Sequence, residues 1–312
     1  MKLDRYARPA AVVVLALVTV YGVVQFLTGD WSMVSEYWRE KVWLIPLVLL
    51  FATIDIALEG VGWLWIYRRF GLPLGVGEGA MAYLSSRAGM LLPAQLGRLI
   101  RPDAVARLGK GPLKECLKAE AVAFVLDAAS VLALIAGLLA YWVHPAAAPV
   151  AALAVIAIFL LLGDWVAQRL LGTHLHLPPA LWWSWQTLAI VLIQLTGWAA
   201  HGLAFWVVVR DLPGNLNLWD ALLFSSGSSV LGVGSGLPGG IGATELLLGV
   251  SLRFAQVPSD HWFVVVAAFR VLTFWIWIPI GWMALTWVLR KTRGGTGQQA
   301  AGESIGQEAE TQ

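Results

Sequence analysis

One cysteine, Cys116, occurs in the 312 residues, so an internal disulfide and a cysteine-rich metal site are both excluded. Charge is scarce too: only 13% of the chain is Asp, Glu, Lys or Arg, where a water-soluble domain carries about a quarter. Catalytic constellations are missing as well. There is no His-x-x-x-Asp acyltransferase pair, no pair of metal carboxylates in a cytoplasmic loop, and no serine in a strained elbow beside a plausible base. Chemistry inside a membrane needs such a nucleophile or metal set with an orienting partner. His174 and His176 lie in a loop without the further ligands a metal requires. The expectation is therefore no catalytic residue, no metal, no cofactor and no nucleic-acid partner.

What the chain has is apolar length. Hydrophobic residues make up 59% of it and the mean hydropathy is +0.73. Several runs exceed the roughly 18–20 residues needed to cross the hydrocarbon core. The first, Ala10–Leu27, follows Lys2, Arg5 and Arg8 as a signal peptide would. It shows no small-residue cleavage site and is long enough to span, so it reads as a helix. Six full spans are predicted: Ala10–Leu27, Val42–Tyr67, Ala119–Val143, Ala146–Val166, Leu181–Val209 and Trp262–Leu289. Two further stretches, Gly79–Leu92 and Leu218–Gly236, are shorter or broken by glycine, and each runs into a proline. They read as half-helices that enter the membrane and return. The fold class is all-α polytopic membrane protein: six transmembrane helices plus two re-entrant half-helix hairpins. Residues 1–290 form one transmembrane domain; residues 291–312, polar and glycine-rich, are expected to be a disordered cytoplasmic tail.

Six crossings put both termini on one side. Sixteen basic residues fall on that side and four on the other (Arg39, Lys41, Arg210 and Arg253), with Arg270 inside a span. Such a bias makes both termini cytoplasmic in a multi-pass protein of the plasma membrane. The basic stretch Arg87–Lys118 would also attract anionic headgroups of the inner leaflet.

The segments Leu91–Arg101, "LLPAQLGRLIR", and Gly236–Leu246, "GLPGGIGATEL", share Leu-Pro-x-x-[Leu/Ile]-Gly. Each follows a broken apolar stretch preceded by an acid, Glu78 or Asp220, and each is followed by a long span bearing a charge, Asp127 or Arg270. Three full spans separate the two, so they face opposite sides. The pattern predicts an inverted repeat, with elements at about 75–143 and 218–289 and a binding site near the midplane. Pro93 and Pro238 act as hinges that end one half-helix, and Gly97, Gly239, Gly240 and Gly242 permit the turn. The next half-helix then begins with free N–H groups that suit an anion. Ordinary interfacial loops with a chance likeness are the alternative.

Asp55, Glu59, Asp127 and Arg270 fall within spans, with Glu120 near a span end. Each would cost about 2.5–3.5 kcal/mol facing lipid, so each must face protein or a polar cavity. Asp55 and Glu59 are stacked at i,i+4, Glu120 and Asp127 at i,i+7, and some of these acids are natural partners for Arg270. They are counter-charges or proton carriers, or a structural ion pair. Thr187, Gln194 and His201 recur every seven residues, a stripe that favours interhelical hydrogen bonds. Arg98 and Arg101 follow Gly97, where guanidinium groups and the helix dipole would act together on a phosphate. The serines from Ser225 to Ser229 read as small packing residues.

At these positions the sequence resembles the flippase-like family named for the transmembrane region of lysylphosphatidylglycerol synthase. The likeness rests on Pro93–Arg101 against the family's Pro-Gly-x-x-Gly-Glu-x-x-Arg motif and on the glycine-rich run Pro238 to Glu245. It rests also on Arg270-Val271-Leu272-Thr273-Phe274-Trp275 opening the last span, and on Ala119–Asp127. It covers about residues 10 to 290. Two departures matter: the family glycine is Ala94 here, and the family glutamate is Arg98. That charge reversal favours an anionic, phosphate-bearing lipid over a cationic aminoacyl lipid. In the synthase a soluble domain follows and makes the lipid; here only the short tail follows, so an upstream lipid-synthesising enzyme is the implied partner. Self-association as a homodimer is left open. The resemblance implies a lipid translocase. Arg98, Arg101, Arg270, Glu245, Gly97, Gly240 and Gly242 would contact substrate, with Asp55, Glu59, Asp127 and Glu120 behind them. An integral membrane enzyme acting on a lipid headgroup, or a proton-coupled carrier of a small solute, is the alternative.

Overall fold

The structure, a computed structural model, describes residues 36, 39–171, 177 and 179–292. The expected first span Ala10–Leu27, His174, His176 and nearly all of the expected tail lie outside the described residues. Every regular element described is helical. The helices are α1 (Leu44–Arg69), α2 (Val76–Ser85), α3 (Ile100–Arg107), α4 (Leu113–Val143) and α5 (Ala147–Leu171). They continue with α6 (Pro179–Trp182), α7 (Trp185–Val209), α8 (Leu218–Gly234), α9 (Ala243–Phe254) and α10 (Ser259–Arg270). A final helix, α11, covers residues 277–292.

Five of the predicted spans are present as helices long and apolar enough to cross a membrane: Leu44–Arg69, Leu113–Val143, Ala147–Arg169, Trp185–Val209 and Trp262–Thr292. The last is α10 and α11 joined through one π-helical turn, Val271–Trp275. Starts and stops follow local chemistry. Ser184 accepts from the Thr187 N–H at the head of α7. Asn217 and Asp220 close a reciprocal capping box at the head of α8, satisfying two donors that the first turn would leave orphaned. The outer faces are greasy: Leu50, Val61, Leu153 and Leu161 are each at least half exposed. An apolar surface of this extent belongs against lipid.

Two helical hairpins interrupt the spans. In the first, α2 and α3 pack together and are joined by short 3-10 turns at Ser86–Gly89 and Pro93–Leu99. In the second, α8 and α9 pack together across a 3-10 turn at Pro238–Gly240. Proline opens both tip turns rather than closing the helix before them. The preceding leucines share one backbone state, Leu92 at φ −73°, ψ 141° and Leu237 at φ −71°, ψ 148°, the extended region to which a residue before proline is driven. The first half-helix is shorter than the sequence suggests, giving way to 3-10 geometry at Ser86.

The tips differ in how they turn. Gly239, Gly240 and Gly242 all have positive φ. Gly97 does not; the left-handed residue of the first tip is Gln95, at φ 58°. Gly97 serves proximity instead, because a Cβ there would collide with the carbonyl of Gly89. The tips also meet each other: a Cβ on Gly239 would stand 3.1 Å from the Met90 carbonyl oxygen.

Two apolar clusters organise the interior. One gathers α1, α2, α3, α4, α5 and α7 around Trp63, Tyr67, Leu126 and Ile190. The other gathers α1, α7, α8, α9 and the last span around Leu44, Phe205, Leu248 and Phe269. Both run along α1 and α7, and where one gives way to the other those helices carry Asp55, Glu59, Trp198 and His201. The polar layer of the protein sits at this junction.

Candidate functional site

A cavity of about 190 Å³ occupies that junction. Its wall takes Arg87, Gly97, Arg98 and Arg101 from the first hairpin and Ser229, Gly239, Gly240 and Thr244 from the second. Asp55 and Glu59 enter from α1, Asp127 from α4, Trp198 and His201 from α7, and Arg270 and Thr273 from the last span. Residues more than 200 positions apart thus converge on one hollow.

The first hairpin fills its side with guanidinium groups held by carboxylates. Arg98 donates to Asp127 Oδ2 at 2.7 Å and to Glu120 Oε1 at 3.2 Å, and its Nη2 lies 3.9 Å from Glu59. Arg101 donates to Glu59 Oε1 at 3.1 Å and to Ser86 Oγ at 2.9 Å, with Glu120 at 3.5 Å. Arg87 donates to Glu59 Oε2 at 2.8 Å and to the Tyr83 hydroxyl at 2.7 Å. Glu120 also accepts from Trp63 Nε1 and from the Tyr67 hydroxyl, and Asp127 accepts from Trp198 Nε1. Arg101, Glu120 and Asp127 are at most 8% exposed. Charges this buried persist only when paired and hydrogen-bonded; the network pairs each of them, though Arg87 Nε and Arg101 Nη1 are buried without a hydrogen-bond partner.

The second hairpin is simpler. Glu245 accepts from the Gly242 N–H at 2.6 Å and from Arg270 Nε at 2.7 Å. Arg270 also donates to the Gly239 carbonyl at 3.1 Å, and its guanidinium stacks 4.0 Å above the centre of the Phe274 ring. Two expectations are corrected here. Arg270 pairs with Glu245, not with Asp55, Glu59, Glu120 or Asp127, because the first hairpin brings its own arginines to Glu59, Glu120 and Asp127, and Asp55 faces His201. The amide of Gly242 is not open: the carboxylate three residues on folds back over it, a capping geometry that serves the start of α9.

The structure therefore gathers Arg98, Arg101, Arg270, Gly97, Gly240, Asp55, Glu59 and Asp127 on one cavity wall. It sets Glu120 and Glu245 directly behind, through Arg98 and Arg270. The polar stripe of α7 divides as its chemistry suggests. Thr187 receives Arg69 of α1 and Gln194 meets Ser130 of α4, both between helices, whereas His201 faces the cavity and Asp55. Ser225, Ser226 and Ser228 are buried in α8, where small side chains permit close packing.

Sequence reasoning placed Arg87 at the head of a basic stretch facing anionic headgroups and passed over Tyr83, Trp198, Trp63 and Tyr67. A signal was present. Asp55, Glu59, Trp63 and Tyr67 recur every four residues, one face of a helix, and this face of α1 meets the arginines and Glu120. Tyr83 and Arg87 share the same spacing.

No curated protein matches the chain. A family model does, over residues 10–281, and its description is lysylphosphatidylglycerol synthase TM region. With that match spanning most of its length, the chain belongs to the lysylphosphatidylglycerol synthase transmembrane-region family, as the hairpin motifs suggest.

Proposed function

We propose that this protein is a lipid translocase, moving a phosphate-bearing amphipathic lipid between leaflets with its headgroup in the cavity and its chains in the bilayer. Membership of a family of lipid-related membrane proteins supports the lipid. The carrying observation is the cavity itself, walled by both hairpin tips and lined by Arg87, Arg98, Arg101 and Arg270. On this reading the hairpins are re-entrant and related as an inverted repeat, with six crossings and both termini in the cytoplasm. The shared Leu-Pro backbone geometry of the two tips and their contact at Gly239 support the repeat. Non-helical backbone at membrane depth is tolerated where it lines such a wet hollow.

The chemistry follows from charge. A phosphate entering the cavity meets guanidinium groups already placed and already desolvated, so it exchanges with a carboxylate partner instead of ordering free side chains. Arg98 and Arg101 receive it on the cytoplasmic side, and Arg270 takes it on the other. Glu245 then gates the far side, since Arg270 must leave that carboxylate to hold a phosphate. At about 190 Å³, with charged side chains on its wall, the cavity suits a polar headgroup. We place the protein in the plasma membrane, acting without catalysis or cofactor on lipid made by another enzyme.

The test is reconstitution into phosphatidylcholine vesicles with chain-labelled phosphatidylglycerol or a labelled polyprenyl phosphate. Wild-type protein is expected to speed exchange of the labelled lipid between leaflets at least about tenfold over protein-free vesicles. No acceleration for any phosphate lipid would sink the proposal.

A further inference from the structure

We propose that Asp55 and His201 form a proton-binding site that loads as a phosphodiester headgroup enters, so that lipid exchange is coupled to protons. The inference rests on the translocase reading above and adds its energy source.

The argument is one of charge balance. Among the described residues around the cavity, each guanidinium has its own carboxylate: Arg87 with Glu59, Arg98 with Asp127, Arg101 with Glu120 and Arg270 with Glu245. Asp55 is left over. Its ion partner is the imidazole of His201, with Nδ1 at 3.3 Å from Oδ2. Both side chains are largely buried and both line the cavity. The pair is fixed by packing: a Cβ on Gly197 of α7 would stand 3.3 Å from Asp55 Oδ1, and the His201 ring lies edge-on to Phe269 and Trp198.

The charged groups facing this pair are Glu59 from α1 and Arg87, Arg98 and Arg101 from the first hairpin. Asp127 faces it from α4, with Glu120 of the same helix behind Arg98 and Arg101, and Arg270 with Glu245 from the far side. Because those charges cancel, the protonation of Asp55 and His201 sets the net charge of the hollow. It is negative when the imidazole is neutral, zero when the imidazole alone is protonated, and positive when both groups are. An anion brought into a low-dielectric hollow is repelled where the hollow is negative and bears an uncompensated desolvation cost where it is neutral, and one added proton offsets its single charge. Imidazole is the side chain whose ordinary titration lies nearest neutral pH. The balance is one proton for one phosphodiester: an N–H or O–H bond forms from a proton of the aqueous side as the headgroup enters. The same bond breaks on the other side as the headgroup leaves.

Vesicles of phosphatidylcholine containing the full-length protein and chain-labelled phosphatidylglycerol, whose phosphodiester does not titrate near neutral pH, test this under a gradient of one pH unit. One-to-one coupling predicts accumulation in the leaflet facing the alkaline side, approaching about ten to one, against the behaviour of protein-free vesicles. Asp55→Asn and His201→Gln are expected to relax to about one to one under the same gradient, and Asp55→Glu to retain the asymmetry. Wild-type exchange that settles at equal leaflets despite the gradient overturns the coupling and leaves the translocase reading standing. An Asp55→Asn protein that still reaches ten to one overturns the assignment to this pair. No exchange in any arm overturns the translocase reading, and this inference with it. The wild-type arm decides the coupling whether or not a variant folds.

Discussion

Arg98 answers to three carboxylates at once, Asp127, Glu120 and Glu59, and its role is the one that sequence reading reached least well. Read alone it followed a glycine at a hairpin tip and looked ready for a ligand. In the fold its charge is largely spent inside the protein, because acids on α1 and α4 converge on it from positions that no local pattern links. Removing one member of a buried pair typically costs about 3–5 kcal/mol, since the other is left uncompensated. Arg98→Ala should therefore lower the thermal midpoint in detergent steeply, while Arg98→Ala with Asp127→Ala recovers part of the loss. Equal stability of the single variant and the wild type would show that the network is not sealed from water. Arg98→Glu, which restores the residue of the family motif, should be worse than alanine, since it faces Glu59, Glu120 and Asp127 with a fourth negative charge. Arg270 makes a sharper functional test. It has one acid, Glu245, so Arg270→Ala paired with Glu245→Gln leaves no buried charge behind. That double variant is expected to fold near wild-type stability and to lose exchange by at least about tenfold. Full exchange from it would reduce Arg270 to a packing residue.

The two hairpins were legible as elements because proline and glycine punctuate an otherwise apolar sequence in a way that helices do not tolerate. Their internal geometry was not. The sequence could not show that Gly97 is needed for its closeness to Gly89 while Gly239 is needed for its φ, nor that Gln95 takes the left-handed position in the first tip. Those facts depend on which backbone lies opposite. They separate two substitutions that look alike on paper. Gly97→Ala drives a methyl group into the Gly89 carbonyl and should cost about 1–3 kcal/mol through overpacking, opening the first tip beside Arg98. Gly239→Ala meets the Phe274 ring at 2.7 Å and adds the left-handed penalty of about 1–2 kcal/mol, in the turn whose carbonyl receives Arg270. Thermal midpoints of the two purified proteins check the costs, and Gly234→Ala, where a Cβ meets nothing within 4 Å, is the control expected to change little. The π-helical turn directly after Arg270 was equally invisible. It widens the last span where that span meets the second tip, a place where such turns often serve function.

At the scale of the molecule, the described spans were readable from hydropathy because length and apolarity are the whole requirement for crossing a bilayer; how the spans pair was not, since the apolar faces are nearly interchangeable. One small cluster nevertheless ties distant parts of the chain together at a single end. Glu78 at the start of α2 accepts from Lys110, between α3 and α4, and from Lys291 near the end of α11, each at 2.7 Å. The first hairpin, the start of α4 and the end of the last span are thereby clasped together at one end of the bundle. The hydrogen bond from Lys110, then that from Lys291, holds the Glu78 carboxyl down to about 2. A carboxyl depressed in the folded state adds stability that is fully present above its ordinary range near 4.5, and that fades as pH falls towards 2. The side chains involved are partly open to water, so screening limits the clasp to about 1 kcal/mol or less. Glu78→Gln should therefore lower the thermal midpoint slightly at pH 7. That deficit should shrink between about pH 5 and pH 2, until wild type and variant melt together. It should also shrink with added salt at neutral pH, because exposed pairs are screened. A deficit that stays constant down the acid range would mean that Glu78 holds this end together by packing, with its charge incidental.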